Sequence, residues 1–164
     1  MKRALAQAER ALEEGAMPIG AVLVHRDEIL AEAYWRGIGR GLLDHPEHAV
    51  LVRADASISS QARREASVYT TLEPCLMCMG TAMSFHLGRF VYALDAPADG
   101  AANVADLWRP RLGHPDRGGP YSLPEIVGGV CEAEARRLVL AWLDTGVRGA
   151  EADFARRTLA SALT

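Results

Sequence analysis

Two short motifs carry the side chains that could do chemistry in this sequence. The first is His45-Pro46-Glu47, and the second, about thirty residues later, is Pro74-Cys75-Leu76-Met77-Cys78. Zinc accepts imidazole and thiolate ligands, and a site with three protein ligands keeps a fourth position open for water, as catalytic zinc sites do. The spacing therefore predicts a catalytic zinc site with His45, Cys75 and Cys78 as its ligands.

Glu47 supplies a carboxylate that this metal site does not need as a ligand. Zinc lowers the pKa of a bound water toward about 7. A carboxylate within hydrogen-bond reach can take that proton and pass it to a leaving group. We therefore expect Glu47 to be the catalytic residue of a hydrolytic reaction. The alternative is an acidic side chain that only stabilises the first turn of a helix.

Two other interpretations fit parts of these motifs. A lone C-x-x-C is also typical of a thioredoxin-like redox pair, but the His-x-Glu motif and the two prolines favour a metal. His48, three residues after His45, could replace it as the ligand. No acidic residue stands two positions after His48, so we expect His48 to lie beside the site or on the surface.

The predicted elements explain how the two motifs could present their ligands. Asp44 or His45 can cap a helix that has Pro46 in its first turn, where a missing N–H has no cost. A second predicted helix begins at Cys75 and contains Cys78 one turn later. Both sulfurs then face the same way, and the positive end of the helix lowers the pKa of the thiols.

The rest of the chain alternates between strand patterns and helix patterns. The predicted strands are Pro18–His25, Ile29–Trp35, Ala66–Leu72, Arg89–Leu94 and a short edge at Ile126-Val127. The predicted helices cover about 2–14, 45–55, 75–86, 131–143 and 151–163, and a loop over 95–120 includes a short helix near 104–108. This alternation implies an α/β fold, a three-layer α/β/α sandwich around a mixed sheet, in a single domain over 1–164.

Composition and charge limit the setting of the protein. The chain has 164 residues, is 49% hydrophobic and carries a net charge of −3, so it can bury a core but has no general attraction to nucleic acid. Charged residues between Glu9 and Glu14 rule out a signal peptide, and no apolar run is long enough to span a bilayer. Three cysteines form no disulfide framework. We expect a cytoplasmic protein with no membrane partner.

The chain resembles the cytidine deaminase-like superfamily, and most closely its tRNA-adenosine/guanine deaminase branch. The resemblance covers nearly the whole chain, and its T-L-E-P-C-x-M-C string is highly specific; it is carried by Pro18–Val24, His45–Glu47, Thr70–Cys78, Gly88–Ala93 and Asp99–Ala102. It implies a mixed sheet of about five strands with helices on both sides, zinc as the cofactor, and a homodimer or larger assembly.

Two departures from that branch concern the substrate. Members of the branch carry a base-binding asparagine at the end of the second strand, where this chain has Trp35. An indole offers one donor and no acceptor, so it cannot replace an amide. In addition, residues 131–164 contain five arginines and five acidic residues. Phosphate contacts dominate nucleic-acid affinity, so this balance disfavours tRNA.

The sequence therefore predicts a zinc-dependent hydrolytic deaminase that releases ammonia from a small nucleobase, nucleoside or related heterocycle. Tyr34, Trp35, Leu43 and the backbone near Ile19-Gly20 are candidates for the substrate pocket. One alternative keeps the chemistry and changes the partner, namely adenosine-to-inosine deamination of tRNA. Another alternative, of a different class, is a catalytically silent subunit that zinc stabilises for assembly.

Overall fold

A central five-stranded sheet organises the computed structural model, which describes residues 1–104, 107 and 121–161. The strands are β1 (Gly20–His25), β2 (Glu28–Tyr34), β3 (Ser67–Leu72), β4 (Arg89–Leu94) and β5 (Glu125–Val127). Their order is β2-β1-β3-β4-β5. β1 is antiparallel to both β2 and β3, whereas β3, β4 and β5 run parallel. The prediction of a mixed sheet with about five strands is confirmed.

Helices cover both faces of this sheet. They are α1 (Lys2–Glu13), α2 (Pro46–Ala54), α3 (Ser60–Glu65), α4 (Leu76–Phe85), α5 (Glu132–Asp144) and α6 (Ala150–Ser161), with a 3-10 turn at Ile38–Arg40. One buried cluster joins α2 and α4 to the sheet, and a second joins α5 and α6 to its other face. The predicted three-layer sandwich is therefore present.

The alternation of side chains in β1 shows why the two faces differ. Ala21 and Leu23 point into the cluster formed with α2 and α4. Gly20 lies on the opposite face, in direct contact with α1. Successive side chains of a strand point to opposite faces of the sheet, so a strand that is buried on both sides contributes alternate residues to each face.

Local signals place the starts of the two helices that carry the motifs. α2 begins at Pro46, whose missing N–H is harmless in the first turn, and Cys75 is the N-cap of α4. α4 ends at Phe85, and its C-cap His86 has a left-handed φ of 61°. The short helix α3 was not predicted, although Ser59 caps it by accepting from the amide of Ala62.

Two predicted elements lie mostly outside the described residues. The predicted short helix near 104–108 lies mostly outside them, as does most of the predicted loop. Among the helices that the structure describes, none combines the length and apolar character needed to cross a membrane. The single-domain assignment stays a prediction.

We expect Gly20→Ala to destabilise the fold, because α1 packs directly on this glycine. A Cβ there would overlap with the carbonyl oxygen of Ala4 and lie 2.5 Å from the amide nitrogen of Ala8, and helix backbone cannot give way cheaply. Overpacking of this kind costs about 1–3 kcal/mol or more. Urea unfolding measures the loss.

Gly80→Ala is the matched control for that substitution. Gly80 lies inside α4, and a Cβ there would meet nothing within 4 Å. Alanine in a helix interior should therefore leave the protein as stable or stabilise it by up to about 1 kcal/mol. Equal urea midpoints for the Gly20→Ala variant and the wild type would contradict the predicted contact.

Candidate active site

The fold brings the two motifs together at the N-termini of α2 and α4. His45 precedes α2, and Cys75 and Cys78 lie at the start of α4. The Nδ1 atom of His45 is 3.5 Å from the Sγ of Cys75 and 3.6 Å from that of Cys78, and the two sulfurs are 3.5 Å apart. Among the described residues these three form the group that could hold a metal ion.

The spacing of these three atoms fits zinc. Tetrahedral zinc with Zn–S bonds of about 2.3 Å and Zn–N bonds of about 2.0–2.1 Å sets its sulfur ligands about 3.8 Å apart and its sulfur and nitrogen ligands about 3.5 Å apart. The observed separations lie within about 0.3 Å of those values. The three side chains leave a fourth tetrahedral direction for a non-protein ligand.

The two thiols share one proton in the absence of a metal. The pKa of Cys75 is lowered to about 4, because its sulfur forms a hydrogen bond with the thiol of Cys78 and His45 lies beside it. The pKa of Cys78 is raised for the converse reason, with burial adding to the effect. Hydrogen bonding to Cys75 also raises the pKa of His45. Because metal ligands must be deprotonated, a bound cation takes the place of this proton.

Glu47 is buried in the first turn of α2, with 3% of its surface exposed. The hydroxyl of Thr70 donates to its Oε1 atom at 2.5 Å, and the Sγ of Cys78 lies 3.7 Å from its Oε2 atom. Burial raises the pKa of this carboxyl. A raised pKa makes the carboxyl a stronger base than a solvent-exposed glutamate, which suits a group that takes up a proton and later returns it.

Glu73 connects the site to a loop that follows β4. Its carboxylate accepts hydrogen bonds from the amides of Ala96 at 2.8 Å and Ala102 at 3.0 Å. Between these two anchors lies Asp99, whose pKa is raised by burial and which interacts electrostatically with Cys75. The sequence did not predict Glu73 or Asp99 as site residues, because their contacts join residues more than twenty positions apart.

A cavity of about 280 Å³ lies beside the three metal-binding candidates. Glu47, Glu73, Asp99 and Glu151 supply its carboxylates. Most of the remaining wall is apolar, from Met17, Ile19, Ile38, Leu42, Pro46, Leu72, Ala150 and Phe154. The volume is near the lower end of the range of about 300–1,000 Å³ seen for drug-sized ligands, so it suits a single small ring.

Two of the pocket residues suggested by the sequence line this cavity, namely Trp35 and Ile19. Trp35 is 7% exposed and meets the ring of His45 edge to face, with centroids 5.4 Å apart. Its indole N–H donates to the Oε1 atom of Glu151 at 2.7 Å. Trp35 therefore lies in contact with the predicted metal ligand and at the cavity wall.

The other suggested pocket residues lie elsewhere. Gly20 faces α1, and the hydroxyl of Tyr34 donates to Glu14 at 2.6 Å. Leu43 is 67% exposed in a neighbouring groove, which His48 also lines. Gly20, Tyr34 and Leu43 are not among the residues that line the described cavity.

The final helix closes one side of the cavity, which the sequence did not predict. Ala150, Glu151 and Phe154, all in α6, line it. Gly149, with φ of 94°, precedes this helix and allows the chain to turn there. No local signal in residues 150–161 points to a site more than one hundred positions earlier, so only the fold reveals this wall.

The comparison with known families agrees with the geometry. Residues 1–94, more than half of the chain, match the family described as "Cytidine and deoxycytidylate deaminase zinc-binding region". The chain therefore belongs to the family of zinc-binding cytidine and deoxycytidylate deaminases, and its cofactor is zinc.

Individual relatives narrow the likeness further. The chain is 32% identical over 145 residues to the tRNA-specific adenosine deaminase of Bacillus subtilis (strain 168), covering 87% of this chain and 85% of the relative. It is 30% identical over 130 residues to the protein of the same name from Aquifex aeolicus (strain VF5), covering 76% and 85%.

A solved structure shows the same similarity in three dimensions. It is described as "Biochemical and Structural Studies of A-to-I Editing by tRNA:A34 Deaminases at the Wobble Position of Transfer RNA". The TM-score is 0.66 at 31% sequence identity, and the match covers 84% of this chain and 96% of the other. The fold predicted from the resemblance is thus confirmed.

In protein stripped of metal by a chelator, brief exposure to iodoacetamide at about pH 6 should alkylate Cys75 and spare Cys78. The pKa of about 4 keeps Cys75 ionised at this pH, whereas the shared proton stays on Cys78. Only the thiolate reacts, so labelling of Cys75 should fall off as the pH drops toward about 4. Peptide mass mapping measures each site.

Added zinc should protect Cys75 from the reagent, and a parallel sample without zinc shows that the reagent itself remained active. A far-UV circular dichroism spectrum checks that the stripped protein is still folded. Equal labelling of Cys75 and Cys78 in folded protein, or labelling of Cys75 only above about pH 8, would contradict the assigned proton sharing.

Proposed function

We propose that this chain is a zinc-dependent hydrolytic deaminase that converts adenosine in tRNA to inosine and releases ammonia. One observation carries the proposal: a His-Cys-Cys cluster with a buried Glu47 lies beside a small cavity. The chain around it is similar, over most of its length, to tRNA-specific adenosine deaminases. The sequence alone favoured a small heterocycle over tRNA, whereas the similarity to proteins named tRNA-specific adenosine deaminases supports tRNA over a small heterocycle.

His45, Cys75 and Cys78 would hold the zinc. When bound, zinc supplies a Lewis acid with one open position and lowers the pKa of a water molecule toward about 7. Within the chain, the ligands are oriented by the starts of α2 and α4, whose positive ends favour the thiolates.

Glu47 would move the protons of the reaction. Thr70 occupies its Oε1 atom and fixes the carboxyl, so Oε2, on the side of Cys78, is the oxygen that exchanges protons. It takes one proton from the attacking water and gives it to the ring nitrogen. It then transfers the second proton to the departing amino group, so water and an amidine become a carbonyl and ammonia. A silent assembly subunit would have no use for this arrangement.

The cavity is large enough for a single base that has been extruded from a nucleic acid. Deaminases that act on a nucleic acid extrude the target nucleotide into a closely fitting pocket. Ile38 and Leu42 line the cavity while remaining 48% and 72% exposed, so they reach both the pocket and the solvent. Such exposed apolar side chains can contact the bases that flank an extruded nucleotide.

A second candidate keeps the chemistry and replaces tRNA by a free base, nucleoside or related heterocycle. It is favoured by the electrostatics of the cavity, where four carboxylates and neither Lys nor Arg occur among the residues that line it. Phosphate contacts supply much of the affinity for nucleic acid, and acidic walls oppose them. Trp35 in place of the expected asparagine points the same way. The homodimer stays a prediction in either case.

We expect zinc-loaded protein to form inosine in an anticodon stem-loop RNA that carries adenosine at the wobble position. Glu47→Ala should lower the rate by at least about 10²–10⁴, the usual contribution of general acid–base catalysis. Nuclease digestion and chromatography quantify the inosine. Glu28→Ala, at an exposed position in β2, is the control and should leave the rate unchanged.

The same preparation is assayed for ammonia release from adenine, guanine, cytosine, their nucleosides, and aminated triazine or pterin rings. The second candidate is favoured over tRNA if one of these rings releases ammonia, the RNA forms no inosine, and binding of the RNA does not depend on salt. Full activity of the Glu47→Ala variant on every substrate would instead show that the proposed proton transfer is wrong.

A further inference from the structure

The hydrogen bond between Trp35 and Glu151 joins two distant parts of the chain inside the cavity wall. Trp35 follows β2, and Glu151 lies in the first turn of α6. The indole N–H donates to the Oε1 atom of Glu151 at 2.7 Å. Both side chains line the cavity that also contains Glu47 and His45. The bond holds the carboxylate of Glu151 in a defined place.

Hydrogen-bond acceptors dominate the polar side chains of this cavity. The indole has one donor, which Glu151 uses. Both oxygens of Glu73 are engaged by backbone amides. Apart from Glu47, two carboxylate acceptors therefore remain for a ligand, namely Asp99 and the Oε2 atom of Glu151. The lining contains no Lys, Arg, Asn, Gln, Ser, Thr or Tyr, so the described walls offer almost no side-chain donor.

We propose that Glu151, held by Trp35, determines which ring the site prefers. Its Oε2 atom accepts a hydrogen bond from an N–H or amino group of the substrate ring, other than the amino group that leaves. The preferred substrates are nitrogen heterocycles that carry such a second donor. The inference rests on the proposed deamination in this cavity. Adenine attached to ribose offers only the amino group that leaves, so the inference favours the second candidate, a free base, nucleoside or related heterocycle, over adenosine in tRNA.

The preference follows from the cost of mismatched polar groups. A donor on the ring forms a charge-assisted bond with the carboxylate, which belongs to the stronger class of hydrogen bonds. A ring without that donor leaves the carboxylate oxygen unpaired on desolvation, as in sites that reject analogues lacking a hydrogen-bonding group. We expect a preference of at least about tenfold.

A simpler role for Glu151 predicts a different result. An acidic residue in the first turn of a helix stabilises that helix, and the bond to Trp35 could serve only to attach α6. Asp153 shares that first turn, but it pairs with Arg156 at 3.0 Å and does not line the cavity. A purely structural role would make both acidic residues matter for stability and neither for the choice of ring.

The test is equilibrium binding of two rings that differ by one amino group, 9-methyladenine and 9-methyl-2,6-diaminopurine. The 9-methyl group removes the other ring N–H. Zinc-loaded Glu47→Ala protein serves as the background, since it stops turnover. We expect the diamino ring to bind at least about tenfold more tightly. Added Glu151→Ala should reduce that preference to about twofold or less, whereas added Asp153→Ala should retain it.

Two more variants test the role of Glu151 in case the Glu151→Ala variant does not fold. Glu151→Gln keeps the size and one acceptor but removes the charge, so it should retain part of the preference. Trp35→Phe keeps Glu151 and removes the donor that orients it, so it should weaken the preference. Zinc content and circular dichroism check each variant. A preference that survives Glu151→Ala, equal binding of both rings, or binding of neither ring would overturn the inference.

Inosine formation in RNA by the wild type is measured on the same preparation, which keeps the two proposals apart. Inosine formed by a protein that binds both rings equally would refute the role of Glu151 and leave the tRNA function standing. A clear preference for the diamino ring, with no inosine formed, would support the role of Glu151 and refute the tRNA function.

Discussion

The meeting of two helix N-termini at one point is the constraint on which the rest of the structure depends. α2 presents His45 and Glu47 there, and α4 presents Cys75 and Cys78. The positive ends of both helices favour the anionic forms of the thiols and the carboxyl, whereas burial opposes ionisation of Glu47. Burial raises the pKa of Glu47, and the hydrogen bond between the two thiols lowers the pKa of Cys75 and raises that of Cys78.

Long-range contacts then build the walls of the cavity beside the three metal-binding side chains. Glu73 holds the loop that carries Asp99, and the bond from Trp35 to Glu151 holds α6 against the opposite side. Each contact replaces what would be an unpaired buried polar group by a satisfied one, which makes the wall stable as well as closed. The proposed reacting groups lie at the two helix N-termini, and the groups proposed to select the substrate lie on the cavity walls.

Sequence information was sufficient where the determinants are local. Pro46 at a helix start and the one-turn spacing of Cys75 and Cys78 predicted the cluster, and strand alternation predicted the sheet. Gly20 was expected near the substrate, yet its missing side chain makes room for α1, which the strand pattern alone could not reveal. The partnership of Trp35 with Glu151 spans 116 positions and depends on how α6 returns to the sheet, so no window of sequence contains it.

An open zinc site with three protein ligands and an unbound Glu47 underlies the proposed chemistry, and X-ray absorption at the zinc edge measures its ligands. We expect four-coordinate zinc with two sulfur ligands at about 2.3 Å, one imidazole nitrogen and one oxygen of water at about 2.0–2.1 Å. The Glu47→Ala variant should give the same coordination, because Glu47 is not a ligand. Zinc with four protein ligands, or a set of ligands that changes when Glu47 is removed, would contradict the proposed site.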